Sequence, residues 1–154
     1  MPFTMRWICA VTALLVVATG VMAGPLPTFD PAVQSLTASN FTSSTDKGMW
    51  LVEFYSPWCK YCKHFAPTFH DIAESNRHLE DSSDFHIARV NCIAQNDLCQ
   101  RQNIDAYPSI ELYRDGTWFE TYEGGRGYNE LDAYIQARAA DHRKLMAVFG
   151  STRQ

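Results

Sequence analysis

Two cysteines separated by two residues, Cys59 and Cys62, are the side chains of this 154-residue chain best suited to chemistry. On a helix, residues i and i+3 lie on the same face, so two thiols at this spacing can form a small disulfide or bind one metal ion. The spacing alone therefore predicts a redox pair or a metal site, and the surrounding sequence has to distinguish them.

The residues on either side place the pair at the start of a helix. Residues 50–55 are rich in aromatic and β-branched types, which is typical of a buried strand, and Ser56-Pro57 marks a turn. After the pair, apolar side chains recur at helical spacing, at Phe65, Phe69, Ile72 and Ala73. This pattern predicts that Cys59 lies at the N-terminus of a helix.

That position suits Cys59 to nucleophilic attack. The first amides of a helix have no partner within it, and the positive end of the helix dipole stabilises an anion. The thiolate is the species that attacks a disulfide, so Cys59 is the predicted nucleophile. Cys62 lies one turn further into the helix, where we expect it to be shielded and to resolve a mixed disulfide formed on Cys59.

The segment that contains both cysteines, Leu51 to Pro67, resembles the active-site segment of the thioredoxin superfamily, and in particular that of protein disulfide isomerase catalytic domains. The resemblance continues in order at Ser35-Leu36-Thr37, Asn40-Phe41, Ala88-Arg89-Val90-Asn91-Cys92, Ala106-Tyr107-Pro108-Ser109, Tyr113-Arg114-Asp115-Gly116 and Tyr122-Glu123-Gly124-Gly125-Arg126. It implies an α/β, thioredoxin-like fold with helices on both faces of a central mixed β-sheet. It also implies an enzyme, a thiol-disulfide oxidoreductase that forms, reduces or isomerises protein disulfides.

Two charged residues acquire catalytic roles from this resemblance. In isomerase domains the acid that matches Glu53 is buried beneath the active-site helix and accepts or returns the proton of the inner cysteine, here Cys62. Periodicity alone equally allows Glu53 to face solvent. The resemblance also implies that Arg126 approaches the site and lowers the pKa of Cys62, whereas the sequence alone fits a solvated loop charge.

Other residues near the cysteines are expected to bind substrate or to tune the redox pair. The resemblance implies that Trp58, Tyr107 and Pro108 bind substrate, with Pro108 in the cis form. Isomerases typically carry Gly-His between the cysteines, and that histidine stabilises the reduced thiolate. This chain has Lys60 and Tyr61 instead, and Tyr61 cannot become cationic. We therefore expect a couple less oxidising than that of a typical isomerase.

The first 23 residues are interpreted as a signal peptide. Arg6 supplies a positive start, residues 7–20 an apolar stretch, and Val21-Met22-Ala23 a small-residue cleavage pattern. The apolar stretch is short for a transmembrane helix of about 20 residues, although an uncleaved anchor is the alternative. The expected organisation thereafter is a loosely ordered lead-in at 24–32, a thioredoxin-like domain at 33–143 and a C-terminal tail at 144–154.

The signal contains Cys9, so four of the five cysteines belong to the mature chain, and secretion places them where disulfides persist. Four cysteines permit three pairings. The resemblance favours Cys59–Cys62 as the catalytic couple and Cys92–Cys99 as a structural disulfide. A four-thiolate zinc site is the alternative, although such sites usually have two Cys-x2-Cys knuckles and the second pair here is separated by six residues.

Composition limits the expected partners. Removal of 23 residues from 154 leaves 131, enough for one domain, with twelve basic and seventeen acidic residues and a net charge of −5. This balance gives no electrostatic footprint for nucleic acid. We expect a monomer in the endoplasmic reticulum lumen or secreted, with no membrane contact after signal cleavage. Asn40-Phe41-Thr42 is a candidate N-glycosylation site.

The expected partners are cysteine-containing protein substrates and an unidentified redox partner or glutathione. No bound cofactor is expected beyond the redox-active disulfide, because the two sulfurs carry the electrons, and the histidines show no metal-like clustering. The alternative function is a non-enzymatic thioredoxin-like binding module or chaperone subunit for unfolded chains. An intact pair of thiols favours the enzyme.

Periodicity and turn signals predict five strands and four helices, which fit a mixed sheet covered by helices on both faces. The predicted strands are Val33–Leu36, Trp50–Tyr55, His86–Asn91, Ser109–Tyr113 and Thr117–Tyr122. The predicted helices are one capped by Thr37 and reaching Thr45, a long helix from Cys59 to about Leu79 that contains Pro67, a short helix at Asp97–Asn103, and a last helix capped by Asn129 and running to about His142. A polar loop is expected at Glu80–Asp84.

Overall fold

The computed structural model describes residues 24–27 and 29–151 of the chain. The predicted signal peptide, residues 1–23, lies outside the described residues. Within the described part, no helix combines the length and the apolarity needed to cross a membrane.

Five strands of the described chain form one mixed sheet in the order β1-β3-β2-β4-β5. The first three neighbours, β1, β3 and β2, run parallel, whereas β4 and β5 are antiparallel additions. The strands are β1 Gln34–Leu36, β2 Met49–Tyr55, β3 Phe85–Asn91, β4 Ser109–Arg114 and β5 Thr117–Thr121. Every boundary lies within one residue of its prediction, because these segments combine apolar or β-branched runs with clear turn residues.

The helices of the described chain are α1 Phe41–Thr45, α2 Lys60–Ser75, α3 Leu79–Ser83, α4 Asn96–Arg101 and α5 Tyr128–Ser151. On one face of the sheet, α2, α3 and α5 cover a core cluster that includes Met49 and Leu51. On the other face, α1 and α4 cover a cluster that includes Trp50, Val52 and Phe54. The predicted mixed sheet with helices on both faces is therefore confirmed.

The prediction of one long helix from Cys59 to about Leu79 is wrong, because the chain forms α2 and α3 instead. The buried side chain of Asn76 ends α2, since its Nδ2 donates to the carbonyl of Ile72 at 3.0 Å and to Asp132 Oδ1 at 2.8 Å. The polar loop predicted at Glu80–Asp84 is mostly helical. Helix α3 ends at Ser83, and its C-cap residue Asp84 has a left-handed φ of 47°.

The ends of two other helices also differ from the prediction. Asn40, rather than Thr37, is the N-cap of α1, and the Asn40 side chain accepts a hydrogen bond from the backbone N–H of Thr37 at 2.7 Å. The last helix continues beyond His142 to Ser151. Residues 143–147 contain good helix formers without glycine or proline, so nothing in them stops the helix.

Candidate active site

Cys59 is the N-cap residue of α2. Strand β2 ends at Tyr55, and the turn that follows closes with a hydrogen bond from the Cys59 N–H to the Ser56 carbonyl at 3.1 Å. The Cys59 backbone is extended, and its Sγ accepts a hydrogen bond from the Cys62 N–H at 3.3 Å. The sulfur thus occupies the position in which a serine or aspartate oxygen usually satisfies a free helix amide.

The same sulfur meets a second backbone group. Cys59 Sγ lies 3.6 Å from the carbonyl oxygen of Tyr107, to which the thiol can donate. The peptide bond between Tyr107 and Pro108 is cis. The nucleophile predicted from the sequence and the segment predicted to bind substrate therefore lie side by side, although 48 residues separate Cys59 and Tyr107 in the chain.

Cys62 lies beneath Cys59 and is fully buried, whereas Cys59 is partly exposed. Both are free thiols in this structure. Burial raises the pKa of Cys62 well above its usual range, and the hydrogen bond with Cys59 and the charge of Glu53 raise it further. The two thiols consequently differ in access, as expected of an attacking and a resolving cysteine.

Glu53 points into the protein. Side chains of a strand alternate between faces, so Glu53 shares the α2 face of the sheet with Met49 and Leu51. It is 3% exposed, and the interpretation that it faces solvent is therefore wrong. Burial raises the pKa of Glu53 to about 8, against the opposing charges of Arg89 and Arg126. A carboxyl group with this pKa can hold or release a proton near neutral pH.

Arg89 is a site residue that sequence analysis did not single out. It lies on β3 directly opposite Glu53 in the parallel register, is 6% exposed, and holds its guanidinium 5.2 Å from the ring centre of Tyr55. The signal was present in the sequence, since Arg89 interrupts the apolar run of Ile87, Ala88 and Val90 just as Glu53 interrupts the apolar residues of β2. Two opposite charges on adjacent buried strands are expected to pair.

A groove of about 350 Å³ opens beside the two cysteines. The groove is mostly apolar and combines residues from α2, the cis-proline segment and the loop before α5. Its lining residues are Tyr61, His64, Phe65, Tyr107, Pro108 and Arg126. Trp58, which precedes Cys59 in the chain, is exposed, and the ammonium group of Lys63 lies 6.0 Å from its ring centre.

Arg126 lies at the edge of this groove and is exposed, with contacts that fix its position. Its guanidinium donates to the carbonyl oxygens of Pro108 at 3.3 Å and Gly124 at 3.2 Å. It also lies 5.9 Å from the ring centre of Phe65. In this position its positive charge lowers the pKa of Glu53.

The remaining cysteines form a disulfide, Cys92–Cys99, which joins the end of β3 to α4. A four-thiolate zinc site would need both of these sulfurs as free thiolates. The described residues contain no group of three or more histidine, cysteine, aspartate or glutamate side chains arranged to hold a metal ion. Lys60 is exposed on the first turn of α2, and Asn40 lies on α1, which covers the opposite face of the sheet.

Comparison with known proteins gives the family. The thioredoxin family (Thioredoxin) matches residues 32–137, which contain both cysteines, Glu53 and the cis proline. The chain belongs to the thioredoxin family. Within this family it is similar to protein disulfide isomerases and to proteins that are built from several thioredoxin domains.

Relatives in this family span more than the chain does. The chain is 31% identical over 113 residues to ER-retained PMA1-suppressing protein 1 of Saccharomyces cerevisiae, which covers 73% of the chain and 16% of that protein. It is 32% identical over 118 residues to Protein disulfide isomerase-like 2-1 of Oryza sativa subsp. japonica, covering 75% of the chain and 31% of that protein. The chain thus spans less than a third of either relative.

A solved structure has the same thioredoxin fold. The first two thioredoxin domains of Naumovozyma dairenensis Eps1p match with a TM-score of 0.67 and 31% sequence identity, over 73% of this chain and 42% of that chain.

The buried acid predicts how stability depends on pH. The pKa of Glu53 rises from 4.5 to about 8 on folding, so from about pH 4.5 upward the unfolded chain releases this proton while the folded chain keeps it. Wild-type stability therefore falls relative to Glu53→Gln between pH 4.5 and 8. The free energy of unfolding of Glu53→Gln should exceed that of wild type by at most roughly 5 kcal/mol at pH 8 and by almost nothing at pH 4.5.

Urea unfolding at pH 4.5, 6 and 8 measures this difference. Glu74→Gln, which removes an exposed carboxylate from α2, is the matched control. Its free energy of unfolding should change with pH as that of wild type does. If the free energies of unfolding of wild type and Glu53→Gln differed by the same amount at all three pH values, Glu53 would not be a buried acid of raised pKa.

Proposed function

We propose that the chain is a thiol-disulfide oxidoreductase of the secretory pathway, which forms, reduces or isomerises disulfides in protein substrates. One observation carries the proposal: the partly exposed Cys59 sulfur accepts the Cys62 amide at the start of α2, while Cys62 is buried behind it. Family membership supports the proposal, as do relatives that bear the name protein disulfide isomerase.

Reduction of a substrate takes two exchange steps. The Cys59 thiolate attacks one sulfur of a substrate disulfide, the substrate S–S bond breaks, and the departing substrate thiolate takes up a proton. The Cys62 thiol then gives its proton to Glu53 and attacks the Cys59 sulfur. The mixed disulfide breaks, the second substrate thiolate leaves, and the Cys59–Cys62 disulfide holds the two-electron oxidation. Run in reverse, the same steps oxidise a substrate dithiol.

Glu53 is proposed as the proton acceptor for Cys62. The high pKa of Cys62 means that the thiol needs a base when it attacks, and Glu53, with a pKa of about 8, is partly ionised near neutral pH. Arg126 is proposed to assist by favouring negative charge at this buried site. No organic cofactor takes part, because thioredoxin-fold oxidoreductases carry the electrons on the two sulfurs.

The groove beside Cys59 is proposed to bind the substrate. Tyr107 and Pro108 present backbone next to the attacking sulfur, and an extended peptide can pair with it. Trp58 and Tyr61 are exposed aromatic residues on either side of Cys59, and they offer apolar contacts to a partly unfolded chain. Cysteine-containing proteins are therefore the proposed substrates, with glutathione or another dithiol as the redox partner.

The location proposed is the endoplasmic reticulum lumen. This follows the signal-like N-terminus and a yeast relative that is named as ER-retained. Asn40 is proposed as an N-glycosylation site there, since its Oδ1 accepts the Thr37 N–H and this leaves its Nδ2 available. The alternative function, a binding module or chaperone subunit for unfolded chains, draws on the same exposed aromatic residues.

Activity assays on two cysteine variants separate these functions. Cys59→Ser should reduce insulin and reactivate scrambled ribonuclease no faster than the buffer does, because the attacking sulfur is gone. Cys62→Ser should accumulate mixed disulfides with substrate, visible on non-reducing gels and removed by dithiothreitol. Full activity in Cys59→Ser would refute the oxidoreductase, and unchanged binding of unfolded chains by both inactive variants would favour the binding module.

Tyr61, one of the two residues between the cysteines, is proposed to influence the redox potential of the pair. We expect Tyr61→His to raise the reduction potential of the Cys59–Cys62 couple by about 30 mV, which is a tenfold change in its equilibrium with glutathione, because an imidazolium stabilises the reduced thiolate. Tyr61→Phe, which keeps the ring, should leave the potential unchanged. Equilibration in glutathione buffers at pH 7 measures both, and equal potentials for wild type and Tyr61→His would contradict the proposed tuning.

A further inference from the structure

The described segment before β1 contacts two parts of the active site. The Leu26 N–H donates to the carbonyl of Pro57, in the turn that precedes Cys59, at 3.0 Å. The carbonyl of Pro27 accepts from Arg89 Nη2 at 3.3 Å. Two residues of this segment thus bind the active-site turn and the cation opposite Glu53.

Asp30 continues the same set of contacts. Its Oδ2 lies 3.9 Å from Arg89 Nη1, and its Oδ1 lies 2.8 Å from His70 Nδ1 on α2. The backbone N–H of Ala32 donates to Oδ1 at 2.9 Å and so fixes the carboxylate. One side chain therefore connects β3 and α2 on the side of the sheet where Glu53 is buried.

Four ionisable side chains consequently form a series from the interior to the surface in which acidic and basic residues alternate. Glu53 is 3% exposed, Arg89 6%, Asp30 15% and His70 37%. In such a series each charge is stabilised by its neighbours, and the charge of Arg89 is shared between an acid on each side. Loss of Asp30 would leave Glu53 as the acid that Arg89 stabilises most directly.

We propose that Asp30 is a positioning residue of the active site, which holds Arg89 and opposes its charge so that Glu53 can keep a proton near neutral pH. The inference rests on the proposed role of Glu53 as proton acceptor for Cys62. Asp30 lies outside residues 32–137, which match the thioredoxin family. The proposal therefore adds a residue of the N-terminal segment to the catalytic unit.

The charges around Glu53 act on its pKa in the direction that the proposed role of Asp30 requires. Arg89 on β3 and Arg126 in the loop before α5 lower the pKa of Glu53, whereas Asp30 raises it. Cys62 on α2 faces the same buried acid, and its own pKa is raised in part by Glu53. Replacing Asp30 by a neutral residue removes a negative charge and leaves both cations, so Glu53 should ionise at lower pH.

Two further groups belong to this environment. Tyr55, on the same strand as Glu53, lies under Arg89, and its pKa is raised first by burial and then by the charges of Glu53, Cys62 and Asp30. The hydrogen bond that His70 Nδ1 donates to the Asp30 carboxylate raises the pKa of His70. His70 also lies 3.9 Å from the exposed carboxylate of Glu74. Among the described residues the ion-pair partner of Arg89 is Asp30 and not Glu74, so Glu74 is available for comparison.

The experiment is a titration of the Glu53 carboxyl group by carbon-13 NMR in the reduced protein, with Glu53→Gln used to assign its signal. In Asp30→Asn the midpoint should move to lower pH than in wild type. Glu74→Gln removes the other carboxylate beside His70 and should leave the midpoint where it is in wild type. Asp30→Glu, which restores the charge, should return the midpoint toward the wild-type value.

The rate at which Cys62 releases a mixed disulfide provides the second measurement. Its pH profile should shift to lower pH in Asp30→Asn and not in Glu74→Gln. An Asp30→Asn midpoint equal to that of wild type would overturn the role of Asp30, whatever the activity. A shifted midpoint in a protein that reduces no disulfide would support the coupling of Asp30 to Glu53 and would refute the proposed function instead.

Discussion

The hydrogen bond from the Cys62 amide to the Cys59 sulfur is the interaction on which the site depends. It exists because β2 is long and buried, ends at Tyr55, and turns within four residues into α2, so that the first free amides of the helix point at a cysteine. The same turn brings the sulfur to the Tyr107 carbonyl beside the cis proline. The proposed nucleophile, the proposed resolving thiol and the backbone proposed to bind a peptide are thereby assembled around one helix end.

A buried acid behind this helix end has an energetic cost that the surrounding residues offset. Ionised Glu53 is unfavourable inside the sheet-helix layer, and a neutral Glu53 gains little from Arg89. Arg89 in turn contacts Asp30, the carbonyl of Pro27 and the face of Tyr55, so the stabilisation of its positive charge does not depend on Glu53 alone. This arrangement leaves the acid free to change its protonation state, which a tight ion pair would prevent.

The sequence was sufficient to predict the strands, the position of Cys59 at a helix N-terminus and the family. It was insufficient where the answer depends on contacts between distant residues. Residues 49–55 are all buried, so alternation in that strand carried no information on which way Glu53 points. The end of α2 depends on Asn76 reaching Asp132, and the importance of Arg89 depends on its register with Glu53. The contacts of Leu26, Pro27 and Asp30 likewise join segments that no local pattern relates.

The central claim is a partly exposed attacking sulfur and a shielded resolving sulfur. It is tested most directly by alkylating the reduced, folded protein with iodoacetamide and locating the label by mass spectrometry. The account predicts that Cys59 is labelled first and that Cys62 is labelled only after unfolding in guanidinium chloride, because Cys62 is fully buried and its thiol ionises with difficulty. Equal labelling of the two cysteines in the folded protein, or faster labelling of Cys62, would contradict it.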